Sequence, residues 1–149
     1  MANNNNNNNN NNTVSQFVQA IGSDAIPRMA RMLLVDKTIT DINIQDSDGG
    51  TALFYQAWYG TTGNMAWLLR QDPPAYIDIR GPSQWTPLMH AAWSDTDPEG
   101  KVRLLIDYGA DRDLEAVFGE TALSNARLNN KNPAAVIDLL ENYRPDVSR

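Results

Sequence analysis

Thr86-Pro87-Leu88-Met89-His90-Ala91-Ala92 decides the fold, because the chain spells it three times. Thr51-Ala52-Leu53-Phe54-Tyr55-Gln56-Ala57 stands 35 residues before it, and Thr121-Ala122-Leu123-Ser124-Asn125-Ala126 stands 35 residues after it. Self-similarity at a fixed period of ~20–50 residues marks a repeat array, in which one supersecondary unit recurs. Within each copy the chemistry is the same. A Thr hydroxyl can accept an early N–H and open a helix. Leu53, Leu88 and Leu123 follow two places later as core positions, and Ala57, Ala91, Ala92 and Ala126 let neighbouring helices approach closely.

Working outward from these copies gives four units of about 13–43, 44–78, 79–113 and 114–149, after a polar tail at 1–12. That tail holds a run of ten Asn (3–12). Asn has too little apolar surface to offset chain entropy, so the tail is expected to be disordered. Phe17, Val18 and Ile21 predict a first helix over 13–22, stopped by Gly22. Ser23-Asp24 cap a second helix with Pro27 in its first turn and a stripe of Ile26, Met29, Ala30, Leu33 and Leu34. Ile42-Asn43-Ile44 and Ile77-Asp78-Ile79 read as short extended pieces, followed by turn-rich segments. Asn64 is expected to cap the helix that carries Met65, Trp67, Leu68 and Leu69, and Pro73-Pro74 to end it. An acidic connection over 95–100 precedes the helix with Val102, Leu104, Leu105 and Ile106, which Gly109 closes in the left-handed conformation. The fourth unit has a helix to about Leu128, a polar break at 129–132 and a helix from Pro133 to about Tyr143.

Three sub-motifs in one register carry a family resemblance. They are Asp46, Gly49 and Thr51 in the turn (partially repeated as Gly119 and Thr121), the Thr-Pro-Leu-x-x-Ala-Ala helix start over 86–92, and Leu104-Leu105 through Gly109-Ala110-Asp111. Together they resemble an ankyrin repeat protein over about 42–143, with 13–35 fitting a degenerate N-terminal capping repeat. The sequence departs from the family pattern at Met89, where the family carries His, and at Gly81 and Gln84, which replace Asp46 and Gly49 of the second unit. The resemblance implies an all-α repeat solenoid, a stack of about four helix–turn–helix units joined by β-hairpin-like turns. One unit buries only one face, so stacking supplies the core.

Composition limits the chemistry. The 149 residues contain 12 basic and 18 acidic side chains, a net charge of −6, which argues against a nucleic-acid or anionic-membrane binder. There is no Cys, which removes disulfides, thiolate metal sites and thiol catalysis. No apolar stretch nears the ~20 residues of a membrane span, and no secretory signal pattern is visible at the start. The expectation is an intracellular, cytoplasmic or nuclear, monomeric protein with no cofactor. One His and no Gly-rich phosphate loop leave no nucleophile–base pair of recognisable spacing, so no enzyme is expected. His90 reads as a hydrogen-bonded structural histidine. Asp95, Asp97 and Glu99 read as a solvated acidic loop, lacking the pattern of a calcium loop.

The resemblance places recognition at the turn tips and at the exposed ends of the first helices. The corresponding residues here are Trp58, Tyr59, Trp85, Trp93, Ser94, Phe118 and Leu128. Large aromatics on a concave surface with a polar rim have the character of a protein-binding hot spot. Trp58 and Trp93 also admit a structural reading as an inter-repeat stack, and Trp67 reads as core. The expected function is a non-catalytic protein-interaction scaffold. The alternative is a substrate-recruiting or regulatory portion of a larger multidomain protein.

Overall fold

The computed structural model describes residues 5–20, 25–129, 131 and 133–146. Among them are eight α-helices and no strand: α1 (Asn5–Val18), α2 (Ala25–Ala30), α3 (Ala52–Tyr59), α4 (Thr62–Leu69), α5 (Pro87–Trp93), α6 (Pro98–Asp107), α7 (Ala122–Leu128) and α8 (Pro133–Asn142). The odd-numbered helices stand in one row and the even-numbered helices in another, each against its counterpart in the next unit. This is the helical repeat solenoid that the 35-residue period implies.

The repeated Thr residues do the same work three times. Phe54 N–H donates to Thr51 Oγ1 at 3.3 Å, Met89 N–H to Thr86 Oγ1 at 3.3 Å and Ser124 N–H to Thr121 Oγ1 at 3.1 Å, so α3, α5 and α7 share one cap. Behind the caps, Leu53, Leu88, Ala57, Ala91, Ala92 and Ala126 are buried in one continuous cluster, with Leu123 packed at its margin. Full burial of a Leu side chain contributes roughly 1.5–3 kcal/mol. At the end of α6, Gly109 adopts φ +88 while Ala110 N–H bonds to Leu105 O and Gly109 N–H to Ile106 O. That pairing satisfies two carbonyls left over at the helix end.

Side chains tie the units together at intervals of 33 to 36 residues, close to the sequence period. Gln45 Nε2 donates to Arg80 O, and Arg80 Nη1 to Glu115 O, so three equivalent positions form a ladder. Asn43 Oδ1 accepts Tyr76 N–H, and Asp78 Oδ1 accepts Asp111 N–H. Ser94 Oγ donates to Trp58 O at 2.7 Å, and Asn129 Nδ2 to Trp93 O at 3.1 Å. Each bond joins a side chain of one unit to the backbone of its neighbour, through a carbonyl in four of the six and through an N–H at Tyr76 and Asp111.

The turn tips show why Gln84 is tolerated. Gly49 and Gly119 have φ of +83 and +80, and Gln84, at the equivalent position, has φ +62. The tip geometry demands the left-handed conformation at this register, and a non-Gly residue there is held against a steric cost. Gly81 has a separate reason: a Cβ at this position would collide with the Phe54 ring.

Several local expectations are corrected. The tail expected to be disordered over 1–12 is helical over 5–12, since α1 continues backward from the buried pair Phe17 and Val18, while 1–4 lie outside the described residues. Once the packed end has fixed a nucleus, each further residue adds one hydrogen bond. The Gly22 stop and the Ser23-Asp24 cap lie outside the described residues. After α2 the helix widens into a π turn, Arg31–Val35, with Asp36 N–H bonded to Arg31 O. The slip rotates the stripe, so Ala25, Met29 and Met32 face inward while Leu34 is 58% exposed. Ile42-Asn43 and Ile77-Asp78 are turns rather than extended pieces, the first held by Asn43 N–H on Asp41 Oδ1. Thr61, not Asn64, caps α4, because its Oγ1 accepts the Asn64 N–H. Asn64 instead donates to Gln56 Oε1 inside the stack. The acidic connection over 95–100 is shorter than expected, since Asp97 caps α6 and Glu99 and Gly100 lie within it.

Candidate functional site: an aromatic pocket between the first helices and the tips

The pocket begins with helical spacing. Phe54 and Trp58 lie one turn apart on α3, and His90 and Trp93 lie one turn apart on α5, so the same row of helices presents four rings toward one side. The tip before α5 adds Trp85, and the following tip adds Phe118. These residues help to line an open recess of about 490 Å³. Exposed Asp48 and half-buried Glu120 supply the charged groups that line it, and no Lys or Arg does so among the described residues.

His90 is at its centre. Its ring lies 4.1 Å from Phe54, 4.8 Å from Trp58 and 4.8 Å from Trp85, measured between centroids. The residue is 4% exposed, and neither Nδ1 nor Nε2 has a hydrogen-bond partner. The hydrogen-bonded histidine of the sequence reading is therefore corrected: aromatic rings occupy the space where a partner would sit. Burial without compensation disfavours the imidazolium and pushes the His90 pKa down to about 3. The ring is neutral at physiological pH.

The remaining expected site residues divide. Trp58 stacks on Tyr59 at 4.4 Å rather than on Trp93, so the inter-repeat Trp stack is not formed. Tyr59, Trp58 and Trp93 line a smaller recess of about 150 Å³ beside the main one. Trp85, Trp93 and Phe118 line the main pocket, Phe118 being 85% exposed. Leu128 is 67% exposed at the end of α7 but lines neither cavity. Ser94 is corrected: it is 1% exposed, and its hydroxyl is engaged by Trp58 O and by Lys101 Nζ at 2.9 Å. It fastens units together and is not available to a partner. Trp67 packs against the core, as expected.

Phe54, His90, Asp48 and Glu120 were missed as site residues. A signal for Phe54 was present in its i, i+4 spacing to Trp58. For the others there was none, since their approach depends on which tip folds over which helix.

Other groups that resemble chemical sites have structural partners. Asp46 Oδ1 accepts the N–H groups of Asp48 and Gly50, and its Oδ2 accepts from Tyr55 and Gln19. Burial and the Asp46 carboxylate push the Tyr55 phenol up to about 12. Asp97 caps α6 and accepts from Thr62, while Asp95 pairs with Lys131. No group of three or more potential metal ligands occurs among the described residues, and no helix there is long and apolar enough to cross a membrane.

The family model for ankyrin repeats (3 copies) matches residues 7–114. The structure is similar to the crystal structure of EF0377, an ankyrin repeat protein, with a TM-score of 0.71 and 24% sequence identity. That match covers 89% of this chain and 64% of the other, so the chain spans just under two thirds of the solved protein's length. No curated protein matches the sequence. On the family match over most of its length, the chain belongs to the ankyrin repeat family, whose repeats are generally protein–protein interaction modules and typically non-catalytic.

Proposed function

We propose that the protein is a non-catalytic scaffold that binds a partner protein on the face built from the first helices and the turn tips. The observation that carries this reading is the convergence of Trp58, Trp85, Trp93 and Phe118 on one open cavity, with Trp93 and Phe118 left exposed. Exposed aromatics around a recess are costly to leave in water and have the composition of interface hot spots. The scaffold acts as a monomer inside the cell, in keeping with a cysteine-free chain.

A photo-crosslinking residue placed at Phe118, with a control at exposed Leu34, tests the reading in cells. Crosslinked protein at position 118 and none at position 34 is the expected result. Capture should disappear when Trp93→Ala and Trp58→Ala are combined, with helical content and melting retained. Equal capture at both positions, or capture untouched by the double substitution, refutes the surface assignment.

A further inference from the structure

The pocket has a polarity that narrows its occupant. Its lining is rich in aromatic rings, whose faces carry negative potential, and an indole is the strongest of them toward a cation. Trp58, Trp85 and Trp93 supply three indoles, and among the described residues the charged side chains lining the space are the carboxylates of Asp48 and Glu120. The chain as a whole carries −6, so the field outside the pocket also draws cations. Buried His90 adds a further ring without adding positive charge.

We infer that the pocket receives the guanidinium of an arginine side chain presented by the partner polypeptide, an inference that rests on the scaffold reading above. The choice of arginine follows from the mixture of walls. A lysine ammonium is compact and strongly hydrated, and aromatic walls offer no acceptors for its three donors. A guanidinium is planar and weakly hydrated, so it lies flat on an indole while its edge N–H groups donate to a carboxylate. Glu120 is set for this role, since its Oε2 accepts the Phe118 N–H at 3.0 Å and the carboxylate is thereby held beside the Phe118 backbone. An apolar side chain would fill the cavity but leave the two carboxylates unanswered.

The probes are blocked tripeptides, acetyl-Gly-Xaa-Gly-amide, in which Xaa is arginine, its neutral isostere citrulline, lysine, trimethyl-lysine or leucine. The full chain is titrated while the indole N–H resonances of its four Trp are followed, with core-packed Trp67 as an internal control. Arginine peptide should shift the indoles of Trp58 and Trp85 but not Trp67, and should bind roughly ten-fold more tightly than citrulline peptide. Binding should weaken in about 0.5 M salt. Asp48→Asn with Glu120→Gln should lower the affinity roughly five-fold and leave the free spectrum dispersed as before.

No indole shift at about 50 mM arginine peptide overturns the inference. So does citrulline, lysine, trimethyl-lysine or leucine binding as well as arginine. If the tripeptides fail while crosslinking at position 118 still captures a protein, the arginine assignment falls and the scaffold reading stands. If crosslinking captures nothing, the scaffold surface falls whatever the tripeptides do.

Discussion

Mild acid should destabilise this protein through a single imidazole. His90 is the one histidine of the chain, and the aromatic box around it holds its pKa at about 3 against an ordinary value of 6.5. Below pH 6.5 the unfolded chain takes up a proton that the folded chain refuses. Stability tied to His90 is therefore fully present above 6.5 and is lost as pH falls toward 3. Each pH unit inside that window is worth about 1.36 kcal/mol, so the step from pH 7 to pH 5 should cost ~2 kcal/mol. Asp78 works in the opposite direction, since burial raises its carboxyl pKa and the folded state binds that proton more readily. Asp78 is common to wild type and variant, so its contribution cancels in a comparison. Urea denaturation at pH 7 and pH 5 is the assay. With a slope of ~1–3 kcal/mol per molar urea, the wild-type midpoint should fall by about 1 M. His90→Leu, which keeps the volume and removes both unpartnered nitrogens, should show little of this fall. At pH 7 it should be as stable as wild type or more so, because each unsatisfied polar group in an apolar site costs roughly 1–3 kcal/mol. Parallel loss of stability in wild type and His90→Leu between pH 7 and 5 would refute the assignment of the buried neutral ring.

Two further outcomes follow from burial. Lys101 is fully buried, with Nζ bonded to Ser94 Oγ and Thr96 Oγ1, and burial lowers its pKa to about 8. Above pH 8 the folded state sheds the proton before the unfolded state does, so thermal stability should rise by ~2 kcal/mol between pH 7.5 and 9.5, and Lys101→Met should abolish that rise. Leu88, with no exposed surface, should cost ~2–5 kcal/mol in chemical denaturation when changed to Ala; a loss under ~1 kcal/mol would break the register assigned to the repeat.

The sequence alone determined the helix caps, core positions and helix end that recur with the repeat. Thr51, Thr86 and Thr121 cap their helices because a short hydroxyl side chain reaches its own third following N–H whatever surrounds it. Leu53 and Leu88 are buried because stacking identical units leaves them no other place, and Gly109 ends α6 because its missing Cβ makes the left-handed turn cheap. The tertiary structure decided what lies opposite what. Ser94 has the same spacing from its Thr as an exposed binding position would have, yet the preceding unit presents Trp58 O to it and Lys101 seals it in. His90 carries two polar nitrogens, a signal of hydrogen bonding in any single helix, but rings from α3 and from the tip before α5 converge on it and exclude a partner. The aromatic pocket belongs to this second class. Its walls come from two helices and three tips, and the cavity exists only because the units stack in one register, which lays Phe54, Trp85, His90 and Phe118 side by side.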